Sequence, residues 1–123
     1  MAKHIETGKL GEKMAVLFLK TKGYQILETN WRFEKSEIDI IAQKSGLIVF
    51  VEVKTRSTNY FGYPEEYVDK GKQRLMSKAA SAYLAANCED CEMRFDVISI
   101  TLPKKTHPEI KHIEDAFFLY DEP

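Results

Sequence analysis

The sequence predicts an α/β fold, one mixed β-sheet flanked by α-helices in the order α-β-β-β-α-β-β. Three observations lead there. Residues 8–22 and 69–86 carry apolar side chains at helical spacing. Residues 24–56 break into three short runs of strand-forming residues separated by turn residues. The second helical stretch then stands between the third run and a fourth, as a crossover connection would.

The first helix is expected over residues 8–22, with Thr7 as N-cap and Gly23 as a left-handed stop. At about 100° per residue, Leu10, Met14, Leu17 and Phe18 form an apolar stripe and Lys9, Lys13 and Lys20 a solvent-facing one. Glu12 falls with Ala15, Val16 and Leu19 on a second apolar face. An acid there needs a partner or a chemical role; the alternative is an acid favoured by the positive end of the helix dipole. Strands follow over residues 24–30, 37–43 and 47–56, with a polar turn at 34–36 and Lys44-Ser45-Gly46 as the second turn. A loop containing Tyr60, Phe61 and Tyr63 leads into the second helix, which packs through Leu75, Met76, Ala79, Ala80, Ala82 and Tyr83 and is weakened in its first turn by Gly71. Strands over 94–102 and 110–120 close the chain.

A chain of 123 residues is expected to form a single domain spanning 1–123, burying roughly two thirds of its surface without staples. With 44% hydrophobic and 30% charged residues, the composition is that of a globular protein rather than a fibrous or disordered one. The longest apolar run, residues 47–51, falls far short of the ~20 residues that span a bilayer. No apolar signal segment begins the chain, so no membrane association and a cytoplasmic location are expected. Cys88 and Cys91 form a lone C-x-x-C after a helix end, without a second pair to complete a zinc site, and are expected to be two reduced thiols. A net charge of −1 excludes coating of nucleic acid by bulk electrostatics. The charge is uneven, however. Seven bases face four acids in residues 1–35 and six face three in 54–78, against one and five in 109–123. The two basic segments either line one face or are solvated helix surfaces.

The third strand carries the chemistry. Ile48, Phe50, Glu52, Lys54 and Arg56 share one face, so Glu52 and Lys54 interrupt the pattern of a covered strand. A charge buried there costs several kcal/mol unless it is paired or coordinates something, and a simple Glu52–Lys54 salt bridge is the bland reading. In the second strand Glu37 and Asp39 share a face opposite Ile38 and Ile40. If the hairpin superposes the acidic faces, Asp39 meets Glu52, and two carboxylates ~4 Å apart repel by about 4 kcal/mol at an effective dielectric of about 20. Magnesium or manganese would offset this, held by Asp39, Glu52 and the main-chain carbonyl of Val53. With such an ion polarising a phosphodiester and Lys54 stabilising the transition state, the reaction is phosphodiester hydrolysis. Glu12 would reach the same centre as an extra ligand or as an acceptor behind the ligands.

Asp39 followed thirteen residues later by Glu52-Val53-Lys54 resembles the PD-(D/E)XK motif of restriction endonucleases and archaeal Holliday-junction resolvases. The chain more closely resembles the YraN-like family of uncharacterised bacterial proteins. The resemblance runs through Gly8-x-x-Gly11-Glu12, Gly23-Tyr24-x-Ile26-Leu27, Asn30-Trp31-Arg32, Glu37-Ile38-Asp39-x-Ile41-Ala42, residues 50–56 and Arg94-Phe95-Asp96-Val97. It implies a restriction-endonuclease-like core with the site on the second and third strands. It also implies Glu12, Asp39, Glu52 and Lys54 as catalytic residues, with Glu37 and Gln73 as supporting ones. Two positions depart from the pattern: Ile38 stands where a proline is usual, and Ser36 where the family often has glycine.

Arg32, Arg56, Lys70, Lys72, Arg74 and Lys78 are expected phosphate contacts, and Trp31, Phe33, Tyr60, Phe61 and Tyr63 either stack on unpaired bases or pack internally. The expected activity is hydrolysis of structured or branched DNA, with DNA preferred over RNA, by a homodimer as the resemblance implies. Two other readings stay open: a nucleic-acid-binding module of nuclease fold without turnover, and a non-catalytic interaction protein whose acidic cluster is held by lysines alone.

Overall fold

β-Branched and aromatic runs at 25–56 form a three-stranded meander, and α2 carries the chain back so that β4 pairs in parallel with β3. The computed structural model describes residues 2–57, 68–103 and 105–118, with side chains from residue 7 onward. Its elements are α1 (Ala2–Thr21), β1 (Gln25–Phe33), β2 (Ser36–Lys44), β3 (Leu47–Arg56), α2 (Lys70–Asn87), β4 (Glu92–Thr101) and β5 (Glu109–Phe117). This is the expected order, in one sheet ordered β1-β2-β3-β4-β5 with antiparallel pairing except between β3 and β4. Tyr60, Phe61 and Tyr63 lie outside the described residues. No helix among the described residues is long and apolar enough to cross a membrane.

Each face of the sheet is covered by one helix. Ile41, Phe50, Phe95 and Val97 pack under α2 with Met76, Ala79, Ala80 and Tyr83. Ile40, Ala42, Val49, Val51 and Ile98 pack against Ala15 and Leu19 of α1. The β2–β3 turn is as short as expected, Ser45 (φ 51°) and Gly46 (φ 81°) both being left-handed, as a two-residue turn matched to strand twist requires. Gly23 (φ 90°) stops α1 by a Schellman motif, its N–H donating to the Lys20 carbonyl and that of Tyr24 to Leu19.

Several expectations need correction. α1 begins at Ala2, so Thr7 is no cap and Glu12 sits in the third turn, beyond the reach of the helix dipole. The face of α1 that meets the sheet is Gly11, Ala15 and Leu19; Leu10 and Leu17 are 49% and 63% exposed. Gly11 takes its place on that face because the helix there lies close on β3, where a Cβ would stand 1.9 Å from Thr55 Oγ1. β1 runs on through Trp31 and Phe33 instead of ending at Asn30, and Trp31 packs edge-on to Tyr83 with ring centroids 5.2 Å apart, which answers the stacking alternative for Trp31 with internal packing. Leu75 of α2 is 45% exposed. Cys88 and Cys91 are joined in a disulfide: Cys88 caps α2, the Cys91 N–H turns back to its carbonyl at 3.2 Å, and the Cα atoms are held 5.5 Å apart, within disulfide reach.

Candidate functional site

The β2–β3 ladder runs from Lys44–Leu47 to Ile40–Val51 and stops. Asp39 and Glu52 come next on the two strands. Instead of continuing the ladder, the Val53 N–H donates to Asp39 Oδ2 at 2.8 Å. The parting of the strands also turns Ile38 into the cluster under α2, while Ile40 packs under α1; the expected sharing of one face by Ile38 and Ile40 therefore fails. A cleft of about 460 Å³ opens here between the start of β2 and the first turn of α2, with Lys35, Glu37, Asp39, Asp69 and Lys72 on its walls.

Glu52 is 2% exposed. Its Oε2 lies 3.4 Å from Lys54 Nζ and is met more closely by Lys72 Nζ, while its Oε1 is buried without a hydrogen-bond partner. The bland Glu52–Lys54 pair is therefore present but incomplete. Burial, then the charges of Glu52 and Glu12, push the Asp39 carboxyl up to about 8 against the opposing Val53 N–H. Burial alone would lower the Lys72 ammonium, but its bond to Glu52 and the charges of Glu52, Asp39 and Asp69 outweigh that and hold it above its ordinary value. Two lysines thus serve Glu52, while Asp39, its charged form disfavoured by burial and by Glu52, holds its proton up to about pH 8.

Glu12 stands close enough to the centre for its charge to act on Asp39, because Gly11 lets α1 rest on Thr55. Its Oε1 accepts a 2.8 Å bond from Asn30 Nδ2, and Asn30 adopts φ 51° inside β1, a conformation that costs an L-residue energy and that asparagine tolerates best. Asn30 stands in the family pattern, but its left-handed backbone, and with it its role, is invisible to strand periodicity. Lys72 was expected on phosphate and is instead drawn onto Glu52. It is aimed there by the Asp69 N-cap, whose carboxylate accepts the Lys72 N–H at 2.8 Å.

The remaining expected residues are dispersed. Glu37 pairs with exposed Arg32 at 3.3 Å beside the cleft. Gln73 spends its Nε2 on the Val68 carbonyl at 2.8 Å, anchoring the entry to α2. Lys70 is exposed at the start of α2, and Arg56 is half-buried at the end of β3. Arg74 and Lys78 line a separate cleft with Phe33 and Glu34.

A second polar cluster has no counterpart in the expectations. Asp96, fully buried, accepts from Arg94 Nε (2.7 Å) and a second Arg94 nitrogen (2.8 Å) and from the Asp115 N–H (3.0 Å), and it lies 2.6 Å from His112 Nε2. Lys22 Nζ stands 2.7 Å from His112 Nδ1, and Arg94 also donates to Tyr24 Oη. Burial would raise the Asp96 carboxyl, but the bonds from His112, Arg94 and Asp115 outweigh it and hold the group below its ordinary value. This network ties the end of α1 and the edge strand β5 to β4.

Fold and site together define an α/β protein with a carboxylate pair and two lysines where adjacent strands part. The sequence profile described as "Uncharacterised protein family UPF0102" matches residues 11–100. UPF0102 proteins of Flavobacterium psychrophilum, Geotalea daltonii and Christiangramia forsetii are 51%, 50% and 44% identical to the chain, covering 96%, 91% and 98% of it and 98%, 89% and 100% of their own lengths. The chain belongs to the UPF0102 family, the YraN-like group its motifs resemble.

Proposed function

We propose that this protein is a metal-dependent nuclease of the restriction-endonuclease-like PD-(D/E)XK superfamily, hydrolysing phosphodiester bonds in structured or branched DNA. The observation that carries the reading is the unmet demand for positive charge. With Lys54 and Lys72 both on Glu52, Asp39 is still raised to about 8 and Glu52 Oε1 still lacks a partner. Lysines alone do not satisfy this pair, which argues against the interaction-protein reading. A hard divalent cation suits the donors: the carboxylates of Asp39 and Glu52, completed by the Val53 carbonyl and water, with Glu12 behind Asp39. No group of three acidic, histidine or cysteine side chains converges among the described residues, so the main-chain donor is needed.

Magnesium or manganese held there supplies Lewis acidity toward a phosphodiester oxygen and lowers the pKa of water. The protein's own part is electrostatic. Asp39 is oriented by the Val53 N–H, and Glu52 is fixed by Lys72. The Lys54 ammonium, 24% exposed, is placed to stabilise charge developing on the phosphoryl oxygens. Lys35 on the cleft wall meets the backbone of the bound strand without reading sequence. A homodimer would present two such centres to two strands.

Cleavage of linear, flapped and four-way DNA in magnesium, manganese or EDTA tests the proposal. Wild type should cut only with metal, and Lys54→Ala should lose roughly 10²–10³-fold in rate. Binding without cleavage under every condition would support instead a binding module that keeps the fold without turnover, a reading that the close Lys72–Glu52 contact also favours.

A further inference from the structure

On the other side of Glu12 a second groove of about 480 Å³ runs between α1 and β1, within the size range of small-ligand sites. Val16 and Leu17 give it an apolar floor, Lys9 and Lys13 a cationic rim, and Thr29 and Asn30 a polar wall on the edge strand. Leu17 is 63% exposed, and neither lysine is ion-paired among the described residues. The groove adjoins the carboxylate centre: Glu12 forms part of its wall, and Asn30 on the same wall lies between Thr29 and Trp31, whose partners Ile40 and Ile38 flank Asp39 on the neighbouring strand. An apolar strip bounded by cations fits a chain that alternates flat apolar faces with phosphates, and a face of aliphatic side chains, whose attraction is non-directional, accepts any base. A duplex keeps its bases stacked inside and has nothing to offer that floor.

We propose that the α1–β1 groove holds an unpaired nucleotide of the strand whose phosphate lies at Asp39 and Glu52, so that the protein selects single-stranded extensions over continuous duplex. Lys9 and Lys13 meet the phosphates flanking that nucleotide, and its base covers Val16 and Leu17. This rests on the nuclease reading and names the substrate feature it would recognise.

The test compares binding, by fluorescence anisotropy, of one labelled duplex with and without a single-stranded overhang. Calcium replaces magnesium so that affinity is read without turnover. Wild type should favour the overhang by about tenfold, as covering roughly 55 Å² of apolar surface supplies. Leu17→Glu places an anion on the floor and Thr29→Trp fills the groove from an exposed strand position; each should bring the ratio to within about twofold with its thermal melt unchanged. A wild-type ratio near one, or a ratio that either folded variant leaves intact, would overturn the inference. Overturned in that way while metal-dependent cleavage persists, it fails alone; if neither duplex binds and no substrate is cut, the nuclease reading fails with it. A dimer that Leu17→Glu dissociates with overhang binding unchanged would assign the groove to a second copy of the chain and likewise overturn it.

Discussion

Asp39 is the residue whose state reports most directly on the site. Its folded-state value of about 8 lies above the 3.8 of an ordinary aspartate, because burial and Glu52 disfavour the charged form. The group therefore contributes stability that is full below pH 3.8 and is lost as pH rises through about 8. In EDTA, the melting temperature should fall between about pH 5 and about pH 8.5, and Asp39→Asn should flatten that slope. Magnesium added near pH 8 should raise the wild-type melting temperature, and that of Asp39→Asn much less, since a cation that binds only the folded site stabilises it by mass action. A wild-type slope identical to that of Asp39→Asn would sink the account of a strained carboxylate pair.

At the scale of elements, the approach of α1 to β3 determines whether Glu12 belongs to the centre at all. Only a residue without a Cβ allows the contact, since the added atom would lie 1.9 Å from Thr55 Oγ1 and 2.9 Å from Thr55 Cβ. Gly11→Ala should destabilise by about 1–3 kcal/mol in chemical denaturation, as overpacking does, despite alanine's better helix propensity. Thr55→Ala in the same chain should recover part of that loss, because it removes the nearest obstructing atom; strict additivity of the two changes would show that the contact is not the cause. The parting of β2 from β3 is the matching event in the sheet. Asp39 takes the Val53 N–H, so the gap between strands exposes no unsatisfied donor at that position.

Across the whole molecule, the two faces of the sheet divide the work. The α2 face carries Glu52, Lys54 and Lys72, while the Asp96 network ties β4 to β5 and to the end of α1. Asp96→Asn should cost about 2–3 kcal/mol, since the half-buried Arg94 would keep only the exposed Glu114, 3.7 Å away, as counter-charge. Because the Asp96 carboxyl is held below 3.8, its contribution is present above that value and is lost as pH falls below it. Urea titrations should show the wild type losing this advantage over Asp96→Asn in strong acid; an advantage that persisted unchanged there would sink the account.

How much of this the sequence determined depends on the range of the forces involved. Local chemistry was legible: the β3 bounds matched residue for residue, Ser45-Gly46 and Gly23 marked turns that only positive φ satisfies, and Glu52 and Lys54 stood out as charges in a buried strand. The order of elements and the pairing of β2 with β3 followed from short turns, so Asp39 beside Glu52 could be inferred from the sequence. What tertiary structure alone decided came from contacts between distant segments. Helical periodicity offered two apolar faces on α1, and the choice of Gly11, Ala15 and Leu19 over Leu10 and Leu17 depended on the closeness of Thr55, 44 positions away. Lys72 on Glu52, Asn30 on Glu12 and His112 on Asp96 likewise join residues far apart in the chain. A charged side chain looks alike in sequence whether it meets water or a buried partner; the partner appears only when the sheet and its two helices close around it.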